Sequence, residues 1–67
     1  MKDRNGDPIG VGDVVEVVDD LSAGHATVVD VDEADDSYEP EALIEFGWED
    51  GWYKGSELRL VRRKEQA

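Results

Sequence analysis

Residues 42–61 read ALIEFGWEDGWYKGSELRLV. They hold both tryptophans, the one phenylalanine and one of the two tyrosines, set around Asp50-Gly51. Asp-Gly between apolar runs is a favoured two-residue hairpin turn, because both residues tolerate positive φ. The pattern predicts a strand over 42–48 and another over 52–55. A two-residue turn pairs Glu49 with Trp52 and Trp48 with Tyr53. Side chains alternate between the faces of a strand. This register therefore sends Ile44, Phe46, Trp48 and Tyr53 inward and leaves Glu45, Gly47, Glu49, Trp52 and Lys54 outside. Gly55-Ser56-Glu57 reads as a tight turn of 3₁₀ type. Residues 58–61 form a last short strand with Leu58 and Leu60 inward.

Upstream, Asn5-Gly6 is a second hairpin signal and predicts a short N-terminal hairpin or tight lead-in. Residues 14–18 are β-branched apart from Glu16 and predict a strand, with Val15 and Val17 inward and Glu16 outward. Residues 19–24 (DDLSAG) are a loop, with Leu21 folding back as a lid on the core. Residues 25–31 are the second strand in order. Asp30 and Asp32 mark its wet face, which places Thr27, Val29 and Val31 inside. Val28 breaks that alternation and marks a bulge. Residues 32–40 (DEADDSYEP) are a polar, acidic loop whose Pro40 restricts Glu39 and argues against a helix.

The count is five short strands in 67 residues, with no internal repeat and no helix longer than a turn. The fold class expected is all-β and antiparallel: one domain over residues 1–61 and a polar tail over 62–67. Closure into a small barrel would remove exposed edges better than an open sheet.

Several segments carry a resemblance. They are Gly12-Asp13-Val14-Val15-Glu16-Val17, then Gly24 through Thr27-Val28-Val29-Asp30-Val31, Ala42-Leu43-Ile44-Glu45-Phe46, and Glu57-Leu58-Arg59-Leu60-Val61. Together they resemble Src-homology-3-like (SH3-like) five-stranded barrels, most of all the KOW and Tudor kind. The opening Gly6-Asp7-Pro8-Ile9-Gly10-Val11-Gly12-Asp13-Val14 is similar to that of small phage or prokaryotic barrel proteins. The resemblance spans about residues 6–61 and describes a barrel rather than an activity. The group includes ribosomal and transcription-factor modules, readers of methylated lysine or arginine, subunits of electron-transfer complexes and phage proteins.

The charge departs from that group's nucleic-acid-facing members, which are usually basic. Eighteen acidic residues against seven basic ones give a net charge of −11. Solubility, a high-salt cytoplasm, attraction to a basic protein and mimicry of nucleic-acid phosphates are the readings that compete. Direct nucleic-acid binding is disfavoured, because affinity there comes largely from Lys and Arg against phosphate. The one basic cluster, Arg62-Arg63-Lys64, reads as a solvated end. Without an apolar run near 20 residues, no membrane helix is expected. The Met1-Lys2-Asp3 opening does not begin a signal peptide, so a cytoplasmic protein is expected.

Enzymatic chemistry is not expected. One histidine, His25, cannot build a multi-histidine metal site, and it reads as a surface or strand-end residue. Ser22, Ser37 and Ser56 lack a nucleophile-elbow motif. Gly10-Val11-Gly12 lacks the lysine and helix of a phosphate loop. Residues 30–41 match positions 1, 3, 7 and 12 of a calcium loop, but Ala34 and Asp35 fail at positions 5 and 6. No metal or cofactor is therefore expected.

A binding role remains. The expected contact is the outer face of the 42–55 hairpin, with Trp52, Glu49, Lys54 and Tyr38 against a protein partner with a basic surface. The alternative is an acidic nucleic-acid mimic, such as a phage counter-defence factor. Less favoured are a KOW-like nucleic-acid module and a methyl-lysine reader. The latter would use Trp48, Trp52 and Tyr53 as an aromatic cage holding a cation over ring faces.

Overall fold

The computed structural model describes residues 1–33 and 39–64. Its strands are β1 (Val14–Val17), β2 (His25–Asp32), β3 (Glu41–Glu45), β4 (Asp50–Lys54) and β5 (Leu58–Arg62). They form one antiparallel sheet in the order β4-β3-β2-β1-β5. Short 3₁₀ turns occupy Leu21–Ala23 and, directly before β5, Gly55–Glu57. The all-β, five-stranded antiparallel expectation holds, as does the 3₁₀ turn. Closure does not come from hydrogen bonds: β4 and β5 are the sheet's two edges.

The core collects one face of each inner strand. Val15 and Val17 of β1, Ala26 and Val28 of β2, and Ala42 and Ile44 of β3 are buried with Leu58 of β5 and Ile9. Met1, Val31, Phe46, Tyr53 and Leu60 pack against them. Full burial of a Val, Leu or Ile side chain contributes roughly 1.5–3 kcal/mol, so Val15, Val28, Ile44 and Leu58, one from each of four strands, carry most of that stabilisation.

Three expectations are corrected. On β2, Ala26 and Val28 are buried while Thr27 and Val29 are exposed. Val28 pairs with Ile44 and Asp30 with Leu43, which leaves Val29 as the bulged residue. The extra residue resets the alternation. Asp30 and Asp32 do mark the wet face and Val31 does face the core, but that phase does not extend upstream of the bulge.

The second correction moves the β3–β4 turn. Trp52 pairs with Leu43, and Tyr53 with Ala42. The loop closes where the Phe46 N–H donates to the Glu49 carbonyl at 3.0 Å. Gly47, with φ of +103°, takes the first central position, which a type II′ turn reserves for glycine. Asp50-Gly51 thus lies inside β4, and Gly51 serves a different need. A Cβ there would stand 2.9 Å from Cε1 of Tyr53, so its absence seats the tyrosine ring. Trp48 moves to the hairpin tip and is 69% exposed instead of joining the core.

Third, Leu21 is no lid on the core: it is exposed. Glu16 does point away from Val15 and Val17, yet it is buried. Arg59 and His25 stand directly opposite it on β5 and β2. The Arg59 guanidinium donates to Glu16 Oε1, and His25 Nε2 lies 3.9 Å from Oε2.

The N-terminal segment is a narrow hairpin, with Lys2 bridged to Pro8, and it lies along the outer edge of β5. The Arg4 N–H donates to the Leu58 carbonyl at 2.9 Å. Asp3 is the pin. Its Oδ1 accepts from the N–H groups of Asn5 and Asp7, both at 2.9 Å, and its Oδ2 accepts from Leu60 N–H at 2.7 Å. Asp3 is 5% exposed. That burial disfavours its charged form, but the N–H donors of Leu60, Asp7, Asn5 and Gly6 outweigh it and hold the carboxyl below its ordinary value. The chain just past β5 is also tied down. Asp13 accepts from Gly10 N–H and, at 2.8 Å, from Lys64 N–H. The Arg63 guanidinium donates to the Pro8 carbonyl.

Candidate interaction surface on the β3–β4 hairpin

Strand alternation divides the hairpin's side chains. Ala42, Ile44 and Tyr53 face the core, while Leu43, Asp50, Trp52 and Lys54 face away from it. On that outer face Trp52 stands opposite Leu43, which in turn stands opposite Asp30 of β2. Trp52 remains 48% exposed. The flanking rows are charged. One runs Asp32, Glu41, Lys54, and the other brings Glu45 beside Asp50. The outer face is therefore an indole and a leucine framed by carboxylates, with Lys54 as its one cation.

The second aromatic feature is a ring row at the tip. Trp48 stacks on Phe46, with centroids 5.6 Å apart and planes 27° apart. Phe46 meets Tyr53 edge-on at 6.2 Å. Offset stacks and edge contacts are the favoured aromatic geometries. Phe46 and Tyr53 are half-buried, so the row carries a core contact outward to an exposed indole.

The expected site residues fall into separate places. Trp52 and Lys54 share the outer face. Glu49 is in the turn, exposed, its carbonyl committed to Phe46. Tyr38 lies outside the described residues. The cage of Trp48, Trp52 and Tyr53 is not assembled, because Trp52 and Tyr53 are neighbours in β4 and point to opposite faces. Trp52 has no ring partner among the described residues. The rings that do meet are Phe46, Trp48 and Tyr53, and a stack leaves no slot between its planes for an ammonium group.

One groove, of about 430 Å³, lies elsewhere, lined by Arg4, Asn5, Val18, Leu21 and Arg59. The Glu16 carboxylate already partners Arg59, which leaves Arg4 as the available cation. Sequence reasoning missed this pairing because Glu16 and Arg59 are far apart in the chain and meet only through β1–β5 register. It also missed the exposure of Trp48. The signal was present: Gly47-Trp48 competes with Asp50-Gly51 for the turn.

Among the described residues no group of histidine and carboxylate side chains is arranged to hold a metal ion. Among the same residues no helix is long and apolar enough to cross a membrane. Compared with family models, curated proteins and solved structures, the chain has no match.

Proposed function

We propose that this chain is a small, acidic, non-catalytic binding module that contacts a protein partner through its β3–β4 hairpin. The observation that carries the reading is the exposure of both indoles on one hairpin: Trp48 at its tip and Trp52 on its outer face. Tryptophan is enriched among residues that dominate binding energy. In a chain that buries so few large side chains, two exposed indoles carry a solubility cost unless they are covered. The carboxylates around Trp52 favour a partner with a basic surface and would speed its encounter. The SH3-like, KOW or Tudor kinship belongs to the same proposal. Five short antiparallel strands with a 3₁₀ turn before the last support it.

Affinity capture from the native host, with the wild-type chain and with Trp48→Ala and Trp52→Ala, tests the reading. A partner retained by the wild type and lost with either substitution supports it. Equal capture by all three proteins, with folding unchanged, overturns it.

One observation favours the mimic as a second reading. Asp30, Asp32, Glu41, Glu45 and Asp50 share one face of the sheet. Residues two apart on a strand are about 7 Å apart, near the spacing of alternate steps along one nucleic-acid strand. Competition with DNA or RNA for a nucleic-acid-binding protein would distinguish this reading, since an ordinary basic partner need not release nucleic acid.

A further inference from the structure

The two edges of the sheet differ in what their backbone faces. Antiparallel ladders alternate between pairs that exchange hydrogen bonds and pairs that do not. At one end of the β3–β4 ladder, Phe46 N–H donates to the Glu49 carbonyl. At the other end, Gly55 N–H donates to the Pro40 carbonyl. Both fix the same phase: Gly51 and Tyr53 exchange bonds with β3, while Asp50, Trp52 and Lys54 turn their N–H and C=O groups to the free side. Of these, Lys54 N–H is taken by Glu57 Oε1 at 3.0 Å. Among the described residues nothing meets the backbone of Asp50 or Trp52.

We propose that this edge pairs antiparallel with β4 of a second copy, centred on Trp52. The proposal rests on the hairpin's being a contact surface and names its occupant. The case is charge register. A two-fold axis through Trp52 makes the contact isologous, so residue i meets j and j meets i. Asp50 and Lys54 are equally far from Trp52 and on the same face, so each Asp50 stands opposite the other chain's Lys54. The two indoles stand opposite each other between those ion pairs. The backbone phase agrees. Trp52 meets Trp52 as a pair exchanging a bond each way, and each Asp50 N–H reaches the facing Lys54 carbonyl. Lys54 N–H, already capped by Glu57, is not needed. An unrelated basic strand fits less well, because it would set a cation against Lys54.

Net charge opposes the pairing. Two chains of −11 repel over a distance that salt shortens. Self-association should therefore strengthen with moderate salt, whereas capture of a basic partner should weaken.

Sedimentation equilibrium over a concentration and salt series is the first test: a monomer–dimer equilibrium is expected, tighter with added salt. Charge reversal is the second. Asp50→Lys alone sets Lys against Lys, and Lys54→Asp alone sets Asp against Asp. At a fixed ionic strength near physiological, each should weaken self-association about tenfold. A mixture of the two variants should form a heterodimer, and the double swap should regain wild-type association. Circular dichroism of each variant separates a lost contact from a lost fold, and the mixture restores association only if both variants are folded. A chain monomeric at all salts, or variants that associate like the wild type, would overturn the pairing. So would a monomeric chain that takes up a basic peptide, although the hairpin would then stand as a contact surface. A wild-type chain that dimerises but captures no other protein would remove the binding-module reading and leave the pairing intact.

Discussion

β5 and β4 are edge strands of one sheet, and the chain treats them in opposite ways. β5 has the N-terminal hairpin along its outer side, held by the Arg4–Leu58 backbone bond and by Asp3 on Leu60 N–H. β4 has no such cover among the described residues. An uncovered edge invites pairing with another chain, and short length and charged residues are common ways to blunt it. β4 is five residues long and carries Asp50 and Lys54, yet it sets an exposed indole between them. The chain uses its few spare residues unevenly. The first nine are spent on covering one edge, and the other is left to charge and to whatever Trp52 meets.

The contrast breaks most directly at Asp3. Asp3→Ala strips the acceptor from three backbone N–H groups in a buried setting. Each such donor left without a partner costs about 1–3 kcal/mol, partly relieved by entering water. A loss of about 3 kcal/mol is expected in urea unfolding, a large fraction of the total for a domain of this size. Asp3→Asn keeps one oxygen and should lose roughly half as much. The pH dependence carries the same signature. The Asp3 pKa is lowered on folding, so its contribution is present above the unfolded-state value of about 3.9 and is lost as pH falls through the folded value. Wild-type stability should therefore drop below about pH 4, and Asp3→Asn should flatten that drop. An Asp3→Asn profile as steep as the wild type would assign the acid loss to other carboxylates.

Glycine substitutions sharpen the contrast next. A Cβ on Gly55 would stand 2.1 Å from the Lys2 carbonyl oxygen, where the N-terminal hairpin passes the start of the 3₁₀ turn. Backbone cannot yield as a side-chain end can, so Gly55→Ala should cost about 2 kcal/mol. At Gly47 there is open space around a Cβ but a positive φ. Gly47→Ala should cost about 1 kcal/mol from backbone strain alone. Thermal unfolding of the pair separates steric from conformational cost; equal losses would deny that the N-terminal hairpin packs against Gly55.

Which parts of this were legible in the sequence follows from how local each cause is. The inward valines of β1 and the inward leucines of β5 come from alternation and β-branching within a few residues, and they were readable. The β2 bulge is set by how Val28 and Asp30 register against β3, and no local signal distinguishes Val28 from Val29 as the extra residue. The hairpin held two competing turn signals. Gly47 takes the turn and Gly51 lies beside the Tyr53 ring, a contact that exists only once the strands have paired. Of the candidate site, the outward face of Trp52 was legible from parity under either turn. Exposure of Trp48 was not, since it depends on which turn forms. Asp3 had a local hint, an acidic residue just ahead of Asn5-Gly6 that suits a side-chain-capped turn. Its longest-range bond, to Leu60, had none.

The smallest effect is expected on β4, and it is the sharpest comparison of the edges. Trp52→Thr leaves the core, the ladder to β3 and the β-propensity of the strand intact, so stability should change by no more than about 0.5 kcal/mol. Amide exchange then reads the two edges residue by residue. Leu60 N–H is bonded to the Asp3 carboxylate, and Arg4 N–H to Leu58; both should be protected. In dilute protein Trp52 N–H faces solvent, so it should exchange at nearly the rate of an unstructured amide, as should Asp50 N–H. Gly51 and Tyr53, which alternate with them, should exchange slowly because their N–H groups point into the ladder. If β4 self-pairs, Trp52 and Asp50 amides gain protection as concentration rises while Leu60 does not change. Slow exchange of Trp52 N–H at the lowest concentration, in a chain shown to be monomeric, would mean that the β4 edge is covered within one molecule and that the contrast between the edges is false.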